Sequence, residues 1–125
     1  MNSDKFSIRS RFGSFKFAFR GIARLLKNEH NSRIHLVAAA IAIALGLILA
    51  VSITEWMILV IVIGLVFSAE LINSSIESLA NSLNTERDEN IMKAKDYAAA
   101  AVLITAIGAL LAGCLIFIPK LIILF

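Results

Sequence analysis

What most limits the folding of this chain is a run of 18 residues, 36–53, without a single charge (LVAAAIAIALGLILAVSI). As a helix rising 1.5 Å per residue it would be about 27 Å long, close to the hydrocarbon thickness of a bilayer. Residues 56–69 form a second uncharged run, which reaches Glu70 and continues as LINSSIESLANSL; residues 97–119 form a third. A soluble domain of this size keeps roughly a third of its surface in water. With 59% of residues hydrophobic, 17% charged and a mean hydropathy of +0.87, this chain has too little polar surface for that, which excludes a soluble globular fold. One proline and six glycines exclude a disordered or collagen-like chain. The expected fold is an all-α membrane protein with three transmembrane helices, at about 36–53, 56–80 and 97–118. The short connection at Thr54 and Glu55 makes the first two a tight hairpin.

Charge then orients the spans. Of twelve Lys and Arg, eight precede the first span: Lys5, Arg9, Arg11, Lys16, Arg20, Arg24, Lys27 and Arg33. Arg87, Lys93 and Lys95 lie between the second and third, and only Lys120 follows the third. Basic residues are retained on the cytoplasmic side, so the N-terminus and the 82–95 loop are expected there. The net charge of +3 is mostly this topology signal, with an attraction to anionic lipid, and no nucleic-acid partner is expected. The basic region ahead of the first span is too long for the leading part of a cleavable signal peptide, and no small-x-small site follows a short apolar core. Cys114 stands alone in an apolar stretch, so there is no disulfide framework or CxxC site.

Before the first span, Phe12, Phe15, Phe19, Ile22 and Leu26 recur at alternating steps of three and four and fall on one helical face. Lys16, Arg20, Arg24 and Lys27 fall on the other. That pattern predicts an N-terminal amphipathic surface helix over about 6–28, with phenylalanines toward acyl chains and cations toward lipid phosphates. It would anchor the chain and border a site.

An ionisable residue inside a span is costly and therefore a functional candidate. Glu70, Asn73, Glu77 and Asn81 stand at i, i+3, i+7 and i+11, which at 100° per residue is one narrow stripe at about 0°, 300°, 340° and 20°. Ser74 lies beside it, and Leu71, Ile72 and Leu79 occupy the opposite face. The two carboxylates are about 10 Å apart along the axis, too far to share one ion but suited to different tasks. Glu70, deeper in the apolar zone, suits a proton acceptor; Glu77, nearer the cytoplasm, suits a hydrated divalent cation, since magnesium takes one or two carboxylates plus waters and phosphate oxygens. Glu29 precedes the first span and could join Glu77. Lys95 and Asp96 open the third after a loop containing Glu86, Arg87 and Asp88, and a lysine at a helix start suits a phosphate chain. His30 and His35 read as interfacial histidines without a metal. No glycine-rich phosphate loop, protein-kinase catalytic loop, GxSxG or HExxH is present. Two other readings remain open here: a small proton- or cation-coupled transporter using Glu70, and a scaffold whose polar stripe holds an oligomer together.

The stretch ELINSSIE (70–77), followed by AKDYAAAAV (94–102), resembles the prokaryotic diacylglycerol kinase family, whose pattern is E-[LIM]-x-N-[ST]-[AS]-I-E, a short loop, then A-K-D-x-x-[AS]-A-[AG]-V. The resemblance extends to RGI at 20–22, Asn28 and Glu29, ITEWM at 53–57 and FIPK at 117–120. The last two, with RIH at 33–35, look closer to its undecaprenol kinase branch. It implies a single integral-membrane lipid kinase domain over 1–125, assembled as a homotrimer in the bacterial inner membrane with active sites shared between subunits. Such an enzyme transfers the γ-phosphoryl of ATP, with Mg²⁺, to the hydroxyl of a membrane lipid alcohol, undecaprenol or diacylglycerol. By the same resemblance Glu70 would be the catalytic base, with Asn73 its neighbour. Glu29 and Glu77 would be metal and ATP ligands, and Glu86, Arg87, Asp88, Lys95 and Asp96 ATP-binding. Arg33 and Ala99 would join Glu70 at the lipid substrate. Two positions depart from the pattern: Asn81 stands where the family has aspartate, and Ser10, flanked by Arg9 and Arg11, where it commonly has an ATP-contacting arginine.

Overall fold

A computed structural model describes residues 8–83 and 88–125, which form four helices: α1 (Ile8–Asn28), α2 (His30–Ile48), α3 (Ile53–Ser82) and α4 (Glu89–Leu124). Among the described residues there is no strand. α2, α3 and α4 are long and apolar enough to cross a membrane. The architecture is therefore the expected one, three spans and an amphipathic helix ahead of them. Residues 1–7, with Lys5 and the expected start of the surface helix, lie outside the described residues.

In α1 only Leu25 is buried. Phe12, Phe15 and Phe19 are between 58% and 68% exposed, as a helix lying at a bilayer surface requires. The opposite face is less purely cationic than its sequence suggests, because the Arg20 guanidinium stacks 5.3 Å above the Phe17 ring.

The α2–α3 connection differs from expectation. α2 begins at His30, six residues before the apolar run, and ends at Ile48. Ala50 then takes a left-handed φ of 52°, and the Val51 N–H donates to the Gly46 carbonyl at 3.1 Å, closing the helix in a Schellman turn. Ser52 caps α3: its Oγ accepts from the Glu55 N–H at 3.1 Å, while Glu55 Oε1 accepts from the Ser52 N–H at 2.9 Å. The turn is thus at 49–52, and Thr54 and Glu55 belong to the first turn of α3. Leu49, Ala50 and Val51 are apolar, so hydropathy runs straight through a turn that backbone geometry makes.

The best-packed region surrounds this turn. Val51, Leu59, Ile116 and Phe117 are buried, with Ala42, Leu45, Leu49 and Trp56 packed on them. The Trp56 indole lies directly on Gly46, where a Cβ would come within 2.6 Å of it. Lys120 of α4 reaches Glu55 at 3.1 Å and ties the third span to the same end. α2 buries only Gly46 here and Ser32 near its other end. Between those points a cavity of about 540 Å³ separates it from α3 and α4, lined by Ala38, Ala42, Val62, Ala109 and Gly113, with His35 at its edge.

Helix lengths fix the depths. α3 has 30 residues and α4 has 36, about 45 and 54 Å, against a hydrocarbon layer of about 30 Å. Measured from Ile53, Glu70 lies about 25 Å along α3 and Glu77 about 36 Å. With the layer's edge taken at Ile53 and the helix along its normal, the first would fall inside the layer and the second beyond it. Counting about 30 Å back along α4 from Lys120 reaches Ala100, which puts Lys95 and Asp96 just outside.

Candidate active site

α2 and α3 run antiparallel from their turn, and two contacts mark how their residues line up. Gly46 meets Trp56 near the turn, and His35 meets Glu70 farther out, Nε2 to Oε1 at 3.2 Å. Counting three residues outward on each helix from that pair sets Ser32 at about the level of Asn73, and Glu29, just ahead of α2, comes within one residue of the level of Glu77. The sequence stripe thereby acquires a second wall, spaced i, i+3, i+6 on α2.

Burial falls along the stripe from Glu70, 4% exposed, through half-buried Asn73, Ser74 and Glu77 to exposed Asn81. At the deeper level three oxygens are buried without a hydrogen-bond partner: Ser32 Oγ, Glu70 Oε1 and Asn73 Oδ1. The His35 approach to Glu70 is close but is not a formed hydrogen bond, so the carboxylate keeps a free oxygen. Leaving such a group unpaired costs about 1–3 kcal/mol, and three together in a native fold point to a ligand that pairs with them. An alcohol fits Glu70 and Ser32, since a hydroxyl donates one hydrogen bond and can also accept.

The outer level gathers charge. Glu29 is the N-cap of α2, in extended backbone, with no side-chain cap hydrogen bond, so its carboxylate remains available. Glu77 is at about the same level. Lys95 Nζ donates to Asn81 Oδ1 at 3.3 Å, joining the start of α4 to the end of α3. The amide at 81 therefore holds the ammonium without neutralising it, as an aspartate there would. Asp96 and Ala99 are exposed on α4. No group of three or more His, Cys, Asp or Glu able to hold a metal occurs among the described residues. Two carboxylates suit instead a hard cation that brings waters and phosphate oxygens.

Other expected site residues have structural partners. The Arg33 guanidinium donates to the Lys27 carbonyl at 3.0 Å, closing the end of α1. Asp88 Oδ1 accepts from the Asn90 and Ile91 N–H groups at 2.8 and 3.2 Å as the N-cap of α4. Glu86 and Arg87 lie outside the described residues. Sequence reasoning missed Ser32, which is fully buried, and gave His35 no partner. The signal for both was available in the hairpin register, because 32 and 35 repeat on α2 the i, i+3 spacing of 70 and 73 on α3.

Comparison with known proteins bears on this arrangement. The profile of the family described as prokaryotic diacylglycerol kinase matches residues 16–117. The chain is 39% identical over 110 residues to the undecaprenol kinase of Bacillus subtilis, covering 88% of this chain and 89% of that one. It is 32% identical over 106 residues to the diacylglycerol kinase of Haemophilus influenzae, covering 83% and 90%. Against the diacylglycerol kinase of Escherichia coli K12 it is 30% identical over 100 residues, covering 80% and 82%.

Proposed function

Because this chain belongs to the prokaryotic diacylglycerol kinase family, we propose that it is a lipid kinase transferring the γ-phosphoryl of ATP to a membrane lipid alcohol at the α2–α3–α4 site. One observation supports the placement: Glu70, a carboxylate 4% exposed within a candidate membrane span, has a buried oxygen with no hydrogen-bond partner. A soluble phosphate acceptor would not need a base there.

In this reading the acceptor hydroxyl enters from the bilayer, donates to Glu70 Oε1 and accepts from the Ser32 hydroxyl, with Asn73 beside them as the neighbouring polar residue. Glu70 takes the hydroxyl proton as the lipid oxygen forms its bond to the γ-phosphorus and the bond to the ADP oxygen breaks. Phosphoryl transfer depends mainly on positioning and charge neutralisation. Lys95, held by the neutral Asn81, supplies one positive charge to the phosphate chain, with Asp96, Asp88, Glu86 and Arg87 around the nucleotide. Glu29 and Glu77 would hold Mg²⁺, which when bound neutralises phosphate charge. Arg33 and Ala99 flank the lipid. The 39% identity to the Bacillus protein favours undecaprenol over diacylglycerol as acceptor.

The chain acts as a single domain in the bacterial inner membrane, with the N-terminus and the 82–95 loop in the cytoplasm, as eleven basic residues against one favour. A homotrimer, as the family resemblance implies, is part of the same proposal. The deciding experiment supplies labelled ATP and Mg²⁺ to the detergent-purified protein, with undecaprenol and a diacylglycerol in separate mixed micelles. Label in undecaprenyl phosphate is expected. Label mainly in phosphatidic acid would reverse the lipid assignment, and label in neither lipid would overturn the kinase reading.

A further inference from the structure

Each turnover of the proposed kinase leaves a proton on Glu70, and Glu70 cannot return it to water directly, its side chain being 5% exposed. The one ion-pairing partner it has among the described residues is His35, whose side chain is 24% exposed and whose Nε2 lies 3.2 Å from Glu70 Oε1. Asn73 and Ser32, the polar neighbours at this level, offer an amide and a hydroxyl, neither of which takes up a proton near neutrality. An imidazole does. Lys95 is engaged with Asn81 one level out.

We propose that His35 is the proton outlet of Glu70, a positioning residue that acts through the base and resets it. The inference rests on the kinase reading. The lipid O–H proton passes to Glu70 Oε1 during phosphoryl transfer, giving a neutral carboxyl group. That proton then moves to the lone pair on His35 Nε2, with Nδ1–H as the resting tautomer, giving an imidazolium beside a regenerated carboxylate. The imidazolium releases the proton to water at the polar end, and both groups return to their starting charge. Because the resting contact is not a formed hydrogen bond, Oε1 stays open to the incoming hydroxyl, and the ring need only turn to collect the proton afterwards. His35 also borders the apolar cavity between the helices.

The test compares the full-length protein with His35→Gln and His35→Ala, measuring label transfer from ATP to the preferred lipid with and without added imidazole, alongside Mg-ATP binding. Both variants are expected to lose about tenfold or more in kcat, with KM for ATP and lipid within about twofold of the parent. Imidazole is expected to raise kcat of His35→Ala several-fold while leaving the parent unchanged. Glutamine keeps a hydrogen-bond donor but carries no proton, so a His35→Gln enzyme with the parent's kcat would overturn the proposal and leave the ring an orienting role. Failure of imidazole to raise His35→Ala would also overturn it, provided that variant still binds Mg-ATP. If His35→Ala loses ATP binding, His35→Gln decides by its kcat alone. Absence of transfer by the parent protein would instead sink the kinase reading, a pattern distinct from all of these.

Discussion

At the turn between α2 and α3 polar groups are matched: Ser52 and Glu55 exchange two hydrogen bonds, Val51 closes α2 on Gly46, and Lys120 pairs with Glu55. About 25 Å along the same hairpin, Ser32, Glu70 and Asn73 bury three oxygens with no hydrogen-bond partner, and Glu29 caps α2 without using its side chain. One end is organised for cohesion, the other for an incoming molecule. Unmatched polar groups in a fold persist only where the surroundings over-determine them, and the packed turn holds α2 and α3 in the register that keeps His35 opposite Glu70.

Substitutions at the two ends should therefore separate activity from stability. The largest expected effect is at the open end: Glu70→Gln should lower kcat by about a thousandfold or more while sparing Mg-ATP binding, because the base is lost and the outer carboxylates remain. Glu77→Gln should instead weaken Mg-ATP binding by about tenfold, read by titration calorimetry in detergent. Small and equal effects from both would remove the division of labour between the two levels. At the closed end, Gly46→Ala drives a methyl into the Trp56 ring and should destabilise the fold by about 1–3 kcal/mol in thermal unfolding. The surviving folded fraction should keep its kcat. Ser52→Ala should cost about 1 kcal/mol through the lost cap. Smallest and opposite in sign, Ala50→Gly should stabilise by about 1 kcal/mol, since φ of 52° strains a residue with a Cβ. A large activity loss from Gly46→Ala without unfolding would show that the two ends are less independent than their chemistry indicates.

Much of this contrast was legible in the sequence, but unevenly. The spans and the stripe of Glu70, Asn73, Glu77 and Asn81 follow from periodicity within single helices, and those positions keep the expected gradient of burial. The turn was misplaced because Leu49, Ala50 and Val51 look like membrane to a hydropathy reading, although Ser52-x-x-Glu55 carried the capping signal. Ser32 and His35 gained meaning only across the hairpin, where pairing depends on knowing which residue sits at the apex; a shift of three residues there moves every facing pair. Arg33 and Asp88 have structural partners that residue type alone did not reveal, the Lys27 carbonyl and the first N–H groups of α4.

The depth of Glu70 along α3 has a consequence for how such an enzyme meets its substrate. In the proposed role, a base at that depth would encounter only molecules that are themselves dissolved in the membrane, by diffusion in two dimensions. The relevant substrate concentration is then the mole fraction of lipid alcohol among its neighbouring lipids, not its amount per volume of cell. Adding inert lipid at constant total substrate should slow the reaction, so saturation is set by the composition of the surrounding membrane.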